Sequence, residues 1–261
     1  MNHPAAHLRY TCQDAIARIV FDHPQALNAI DSAMARAFLD ACRQIAADPS
    51  VRVVLISGEG RAFMAGGDIA QFRDAPDSIA AQLIDPMHEG LALLGKVNAP
   101  VIASLHGAVA GAGLSIALAC DLSIAADSAK FNFAYTSLGA SCDCGASWSL
   151  PRLVGLKRSL EIALLPGAID AAGALGMGLV NRVVPLAQLA DATEELAAKL
   201  AAGPTLAYGS LKRLMRGSLG RSFGHQLEAE RAAFVACSAT ADFKEAVGAF
   251  LGKRGAQFAG R

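Results

Sequence analysis

The stretch VIASLHGAVAGAGLSIALA (101–119) contains a strand, a glycine-rich loop and a helix in direct succession. Its first five residues, Val101–Leu105, are almost all apolar and partly β-branched, as in a strand buried on both faces. A turn rich in glycine follows, and the small and apolar residues of Ala112–Ala119 favour a helix. This order is typical of an α/β fold with a parallel sheet.

The same order occurs upstream of this stretch. Residues 51–57 (VRVVLIS) form a β-branched run that predicts a buried strand. A second glycine-rich loop, Phe63-Met64-Ala65-Gly66-Gly67-Asp68, follows it, and a helix is predicted over 78–96. Nearer the amino terminus we predict a strand or strand pair over 10–21 and, after Asp31 as N-cap, a helix over 31–47.

Helical patterns dominate the carboxy-terminal part of the chain. A third strand is predicted at 122–125, and after Pro151 only one further short strand, at 179–184, interrupts the helices. The sequence therefore predicts an α/β front and a helical tail. The predicted helices of that tail are 156–165, 186–202, 205–215 and, with breaks, 223–250.

Composition excludes several classes of protein. The chain has 261 residues, of which 53% are hydrophobic and 18% charged, too apolar for intrinsic disorder and sufficient for a large core. Its 23 basic and 23 acidic residues cancel, so no excess of positive charge favours nucleic acid. The length fits one large domain or one domain with an appendage.

The cysteines and the uncharged segments indicate a cytoplasmic protein. Six cysteines lie scattered without a C-x-x-C pair, and no signal segment precedes them. Cys142 and Cys144 are too close for an unstrained disulfide or a usual zinc pair, so we interpret both as small filling residues. The 24 uncharged residues between Lys96 and Asp121 could span a bilayer, but glycines and a proline interrupt them, so we expect no membrane helix.

The two glycine-rich loops could present main-chain amides to a ligand. Each precedes a helix, and the first N–H groups of a helix have no partner within it. Two such amides aimed at one point would polarise a carbonyl oxygen, although the glycines could equally serve only as tight turns. A dinucleotide fold does not fit Gly111-Ala112-Gly113, because Ile116 stands where the third glycine belongs.

Four segments together resemble the crotonase, or enoyl-CoA hydratase/isomerase, superfamily over essentially the whole chain. The resemblance implies a spiral of ββα units with an acyl-CoA-binding core over 1–195 and a helical trimerisation region over 196–261. A homotrimer or dimer of trimers is implied as well. The four segments are HPQALNAI (23–30), AFMAGGDI (62–69), LHGAVAGAG (105–113) and AFLGKR (249–254).

The resemblance also implies where an acyl-CoA thioester binds. The amides of Ala65 and Ala112 would hold the thioester oxygen. Coenzyme A, as part of the substrate, would require no metal and no other cofactor. It would contact Gln25, Ala26, Gly67, Asp68 and Ile69 and, from a neighbouring subunit, Phe250, Lys253 and Phe234.

The acidic residue implied for catalysis is Asp143. The positions of the two hydratase glutamates hold Ser115 and Tyr135, neither of which is a carboxylate, and we expect Tyr135 to form a wall of the substrate pocket. Asp143 lies in the segment GASCDCG (139–145), similar to the one in which isomerases of the family hold a proton-transferring acid. The leading hypothesis is therefore that Asp143 shifts the double bond of an enoyl-CoA as acid and base.

Other interpretations of these residues remain open at this point. Asp143 could be the N-cap of a helix that begins near Gly145. Asp143 with His88 also resembles the halobenzoyl-CoA dehalogenase branch, a hydrolase in which an aspartate is the nucleophile and a histidine activates water, although His88 could be an ordinary surface histidine. A hydratase that uses Asp143 alone, or a non-catalytic acyl-CoA-binding scaffold, completes the set.

Overall fold

Nine strands and ten α-helices alternate along the described part of the chain. A computed structural model describes residues 7–74, 76–165 and 167–261. The strands are β1 (Leu8–Gln13), β2 (Ile16–Phe21), β3 (Val53–Gly58), β4 (Val101–Leu105), β5 (Ala108–Ala110), β6 (Leu122–Ala126), β7 (Lys130–Asn132), β8 (Ile169–Asp170) and β9 (Arg182–Val184). The helices are α1 (Ser32–Ala47), α2 (Ile69–Asp74), α3 (Asp85–Lys96), α4 (Ala112–Ala119), α5 (Ala146–Leu164), α6 (Ala171–Gly176), α7 (Leu189–Ala201), α8 (Thr205–Ser218), α9 (Phe223–Ser238) and α10 (Ala241–Leu251).

The strands form two sheets. The larger sheet has six strands in the order β1-β2-β3-β4-β6-β9, and every pair in it is parallel except β1 with β2. The smaller sheet has the order β5-β7-β8. The parallel strands are covered on both faces, and this explains why their sequences are almost continuously apolar.

Each turn of the chain contributes one strand to the large sheet, a short strand to the small sheet and then a helix. Two turns show this fully, β4–β5–α4 and β6–β7–α5. In the earlier turns the second strand shrinks to single bridges, which pair Met64 with Val109 and Ile30 with Gly67. The expected spiral of ββα units is therefore confirmed.

The amino-terminal predictions agree closely with the structure. The carboxylate of Asp31 accepts a hydrogen bond from the Met34 amide at 2.7 Å and caps α1. Phe38, Cys42 and Ile45 follow Met34 at helical spacing and are buried in the core. Since one face of α1 packs against α3 and the sheet, the periodic pattern was sufficient to locate it.

Several short elements were not predicted, because their sequences are too short for a periodic pattern. Strands β5, β7 and β8 have two or three residues each, and α2 and α6 have six. Helix α5 begins ten residues before the predicted start at 156, because Gly155 has a φ of +77° and joins two helical pieces across a kink. The predicted helix corresponds to the second of these pieces.

The division predicted at 195/196 between the core and the helical region falls inside α7. Ala192 and Ala197 of this helix are buried in the clusters that cover the large sheet, so α7 belongs with the core. Helix α8 is also attached to the core, through Lys212, whose ammonium lies 2.8 Å from the Asp121 carboxylate and donates to the Leu94 and Ala99 carbonyls. Burial lowers the pKa of Lys212 and the Asp121 charge opposes this shift.

Among the described residues, no helix is long and apolar enough to cross a membrane. The uncharged segment that raised the question folds instead as β4, β5 and α4. Every residue of α4 from Ala112 to Leu118 is buried inside the protein. The hydrophobicity of this segment therefore reflects a core position.

Asn28 joins three parts of the chain through its buried side chain. Its Nδ2 donates to the carbonyls of Glu59 at 2.9 Å, Ala62 at 2.8 Å and Phe63 at 3.2 Å. Its Oδ1 accepts from the His23 amide at 2.8 Å. The turn that starts at His23 is thereby fixed to the loop that leaves β3, in front of the first glycine-rich loop.

We expect Asn28→Ala to lower the free energy of unfolding by about 3 kcal/mol, because buried carbonyls lose their donor and each unsatisfied group costs about 1–3 kcal/mol. Alanine also fits the left-handed backbone at this position poorly, since φ of Asn28 is +58°. Urea denaturation measures the change, with the exposed Gln25→Ala on the same turn as control. A loss below about 1 kcal/mol would contradict this role for the Asn28 amide.

Candidate active site

A cavity of about 310 Å³ lies where the two glycine-rich loops meet the segment before α5. Its walls are mostly apolar, and Asp143 is the only carboxylate among the described residues that line it. Lining residues from the first loop and the helices after it are Ile30, Ala65, Gly66, Gly67, Ile69, Phe72, Ile79, Leu83, Ile84 and Met87. Those from the second loop and from the segment before α5 are Gly111, Ala112, Ala134, Tyr135, Leu138, Ala140, Ser141, Cys142, Asp143 and Cys144.

The two loops can approach each other because glycine stands at their contact. A Cβ added to Gly113 would lie 2.5 Å from the Met64 carbonyl oxygen, far inside van der Waals contact. Gly111 has a φ of +51°, and a Cβ there would lie 3.5 Å from the Gly66 Cα. Main-chain bonds then hold the loops together, since the Met64 amide donates to the Ala108 carbonyl and the Ala110 amide to the Met64 carbonyl.

The amide of Ala65 does not face the cavity, and the expectation that it holds the substrate oxygen is wrong. It donates to the Leu27 carbonyl at 3.0 Å. The amide of Asp68 likewise turns toward this segment and donates to the Ile30 carbonyl at 2.9 Å. Both N–H groups are therefore already satisfied by the preceding turn.

Gly67 presents the amide that the sequence assigned to Ala65. Both neighbours of Gly67 bond to Ile30: the Gly66 carbonyl accepts from the Ile30 amide, and the Asp68 amide donates to the Ile30 carbonyl. Because successive residues of an extended chain alternate in the side to which they bond, the Gly67 N–H points away from Ile30. Gly67 lines the cavity, and its N–H donates to no protein acceptor in the described ranges. Gly66 causes the change of side, since its φ of +116° is accessible to glycine and interrupts the regular alternation of amides.

Ala112 has a main-chain amide without a partner inside its helix. It is the first residue of α4, and the first main-chain bond of this helix starts at Ser115, which donates to the Gly111 carbonyl at 3.1 Å. The N–H of Ala112 therefore has no intrahelical partner and lies at the positive end of the helix dipole. Gly67 and Ala112 line the same cavity.

Asp143 belongs to a hydrogen-bonded chain of three side chains. The Tyr135 hydroxyl donates to Asp143 Oδ1, and the Ser115 Oγ lies 2.8 Å from the Tyr135 oxygen. Because Tyr135 donates its one proton to the carboxylate, the proton of the second bond comes from Ser115, whose Oγ also lies 3.2 Å from the Gly111 carbonyl oxygen and shares its proton between the two acceptors. Ser115 is completely buried, so its partner keeps a buried hydroxyl satisfied.

The environment keeps the side chains around Asp143 in their neutral forms. Burial and then the Asp143 carboxylate raise the pKa of the Tyr135 phenol well above its usual value. The same two causes, again with burial first, raise the pKa of the Cys144 thiol. Tyr135 is therefore a permanent donor to Asp143, which sequence reasoning missed when it treated this residue only as a wall of the pocket.

Asp143 does not cap α5 with its side chain. The N-cap of that helix is Gly145, and no side chain makes a capping bond there. The Asp143 main-chain carbonyl accepts from the Ala146 amide at 3.1 Å, whereas the carboxylate points to Tyr135. The interpretation of Asp143 as an N-cap is therefore wrong.

His88 contacts the loop that carries Asp143 but does not line the cavity. Its Nε2 accepts a hydrogen bond from the Cys144 main-chain amide at 2.9 Å. Since a main-chain amide can only donate, this nitrogen holds a lone pair and the ring is neutral. The lone pair that water activation would require is thus already used, and the structure does not bring His88 to the cavity as a base.

The residues expected to contact coenzyme A are only partly brought together. Gly67, Ile69 and Tyr135 line the cavity, whereas Asp68 lies beside it and its carboxylate accepts from the Ala70 amide at 2.8 Å. Gln25 and Ala26 lie on a short 3₁₀ turn before Leu27. Residues that stay outside the cavity of their own chain are Phe234, Phe250 and Lys253, of which Phe250 is 84% exposed.

One group of described residues has the composition of a metal site, and it lies outside the cavity. Candidate ligand atoms of His7, His23 and Asp31 are within 4.8 Å of one another. The two imidazole rings are stacked with an interplanar angle of 10°, so their in-plane lone pairs run parallel and do not converge on one ion. We therefore assign no metal to this group.

Comparisons with known proteins agree with this architecture. Residues 11–261 match the family model for enoyl-CoA hydratase/isomerase. The 1,2-epoxyphenylacetyl-CoA isomerase of Escherichia coli is 34% identical over 95% of this chain and 97% of its own length. A 4-chlorobenzoyl coenzyme A dehalogenase of Arthrobacter is 33% identical over 81% and 79%. A solved enoyl-CoA hydratase from Polaromonas superposes with a TM-score of 0.89 at 33% identity, covering 96% and 98%. The chain therefore belongs to the enoyl-CoA hydratase/isomerase family.

Proposed function

We propose that this acyl-CoA enzyme shifts the double bond of an enoyl-CoA, with Asp143 as acid and base. The observation that carries the proposal is a single apolar cavity lined by two glycine-loop residues with available amides, Gly67 and Ala112, and by one carboxylate, Asp143. Amides that converge on a thioester oxygen stabilise an enolate, and a carboxylate beside it can move the proton.

The amides act on the thioester carbonyl. Hydrogen bonds from Gly67 and Ala112 draw electron density onto the carbonyl oxygen and make the hydrogens on the adjacent carbon acidic. Because both donors are main-chain groups fixed by the contact between the loops, they need little reorganisation when negative charge develops. The apolar lining excludes water and strengthens these bonds.

Asp143 then transfers one proton between two carbons of the substrate. Its carboxylate removes a proton from the carbon next to the thioester of a 3-enoyl-CoA, and the electron pair of that bond spreads over the dienolate. The protonated Asp143 returns the proton to the distal carbon of the former double bond, which leaves the 2-enoyl isomer. Oδ1 is held by Tyr135, so we assign the transfer to Oδ2.

Hydration is a weaker candidate, because the chain offers no second carboxylate at the cavity. Ser115 and Tyr135 occupy the positions of the two hydratase glutamates and bond to each other and to Asp143. Holding and activating a water molecule between two acids is therefore not available here. A hydratase that uses Asp143 alone would be revealed by turnover of a 2-enoyl-CoA to the hydroxyacyl product.

Hydrolysis through an acyl-aspartate is the second candidate, supported by the likeness to the Arthrobacter dehalogenase. It requires a base that activates water next to Asp143, and the Nε2 of His88 is bonded to the Cys144 amide instead. This contact favours the isomerase. A covalent adduct on Asp143 in the mass spectrum would favour the hydrolase, and binding without turnover of any substrate would favour a scaffold.

Coenzyme A and neighbouring subunits are assigned to the outer surface of the cavity. We place the nucleotide along Gln25, Ala26, Asp68 and Ile69, in line with the family resemblance. Phe250 and Lys253 would then come from a second copy of the chain in a homotrimer or dimer of trimers. The exposure of α9, none of whose residues is buried, supports such contacts.

We expect Asp143→Asn to lower kcat with a 3-enoyl-CoA by about a thousandfold, a loss of the size that general acid–base catalysis supplies. Asparagine can still accept from Tyr135, so the fold and the KM should change little. The isomerisation is followed by the absorbance of the conjugated product, with Asp74→Asn, an exposed carboxylate at the end of α2, as control. Full activity of Asp143→Asn would remove this mechanism.

We expect Ala112→Pro to lower kcat/KM by about a hundredfold, since loss of one main-chain donor to an oxyanion costs this much or more. Proline is well accepted at the first position of a helix, so this substitution deletes the N–H with little damage to α4. Ala112→Gly keeps the amide and serves as the matched control. Equal kinetics of the two variants would show that this amide does not hold the substrate oxygen.

We expect Tyr135→Phe to lower kcat by about tenfold, because Asp143 and the buried Ser115 each lose a hydrogen-bond partner. The raised pKa of Tyr135 keeps the phenol protonated, so its titration should cause no loss of activity in the wild-type enzyme up to about pH 10. The pH profile of kcat for both proteins checks these points. A fall in wild-type activity near pH 8 that Tyr135→Phe abolishes would contradict them.

A further inference from the structure

The loop that carries Asp143 is anchored to α3 by one side chain. The Cys144 amide donates to His88 Nε2 at 2.9 Å, and Cys144 itself is buried. The anchor lies one residue after Asp143, whose side chain is held separately by Tyr135. The carboxylate is therefore fixed from two directions, through its side chain and through its main chain.

The main chain of this segment has an uncommon conformation. Gly139 and Gly145 bound the segment, and both have positive φ values, +67° and +79°. Cys144 also has a positive φ, +50°. Such a conformation persists where the surroundings hold it, here through the burial of Cys144 and the bond to His88.

We propose that His88 is a positioning residue whose imidazole latches the Asp143 loop through the Cys144 amide, so that loss of this acceptor releases the loop. A side chain without an acceptor at this place would leave the Cys144 N–H without its partner. The Asp143 carboxylate, which Tyr135 holds through its side chain, would then lose one of its two supports.

Amide hydrogen exchange tests the latch without any substrate. His88→Leu should lower the protection factor at Cys144 about tenfold relative to the wild-type protein, the cost of one hydrogen bond. In His88→Gln, whose amide oxygen can accept, the wild-type value should persist, and the exposed His225→Gln on α9 should behave as the wild type.

Kinetics supply the second arm, which rests on the proposed isomerase function. His88→Leu should lower kcat about fivefold relative to His88→Gln, with KM little changed. Absence of isomerase activity in the wild type would overturn the function and leave the exchange arm intact. Equal protection at Cys144 in the wild type and in His88→Leu, or equally low protection in the Gln and Leu variants, would overturn the latch.

Discussion

The site depends on close contact between the main chains of two glycine-rich loops. Gly113 lies so close to Met64 that a single added carbon would stand 2.5 Å from a carbonyl oxygen. Hydrogen bonds of the β type then join the loops through Met64 and Ala108. Because strands β3 and β4 lie next to each other in the large sheet, the loops that leave them emerge at the same edge, and this contact brings the amides of Gly67 and Ala112 to one cavity.

A main-chain binding site of this kind leaves the choice of reaction to a few side chains. In the proposed mode of binding, the amides would stabilise negative charge on any thioester oxygen, whichever bond is broken next. Where the family resemblance places two glutamates, this chain holds Ser115 and Tyr135, of which Tyr135 bonds to Asp143 and Ser115 bonds to Tyr135. The buried phenol cannot ionise at working pH, so it acts as an orienting donor. The same frame can therefore favour proton transfer within the substrate over addition of water.

The sequence predicted the helices and strands whose burial imposes an apolar pattern. It did not predict features of the site that depend on one hydrogen bond or one dihedral angle. Helix α1 was located by its capping aspartate and its apolar spacing, and β4 and α4 agree with the predicted ranges to the residue. The choice between Ala65 and Gly67 could not be made in this way, because it depends on the φ of Gly66, which changes the side to which the following amides point. The available signal was Gly66 itself, because a glycine can take a positive φ and the amide of the next residue, Gly67, then faces the cavity in place of the Ala65 amide.

The acidic residue illustrates the same limit in another form. Its position in the chain indicated a functional carboxylate, but not the contacts that fix it, since Ser115, Tyr135 and His88 lie on three different elements far apart in sequence. Tyr135 holds the carboxylate through Oδ1, and His88 holds the main chain beyond Asp143. A carboxylate that moves a proton from one carbon of a substrate to another needs a fixed position, because the acceptor carbon must be reached without a change in the surrounding loop.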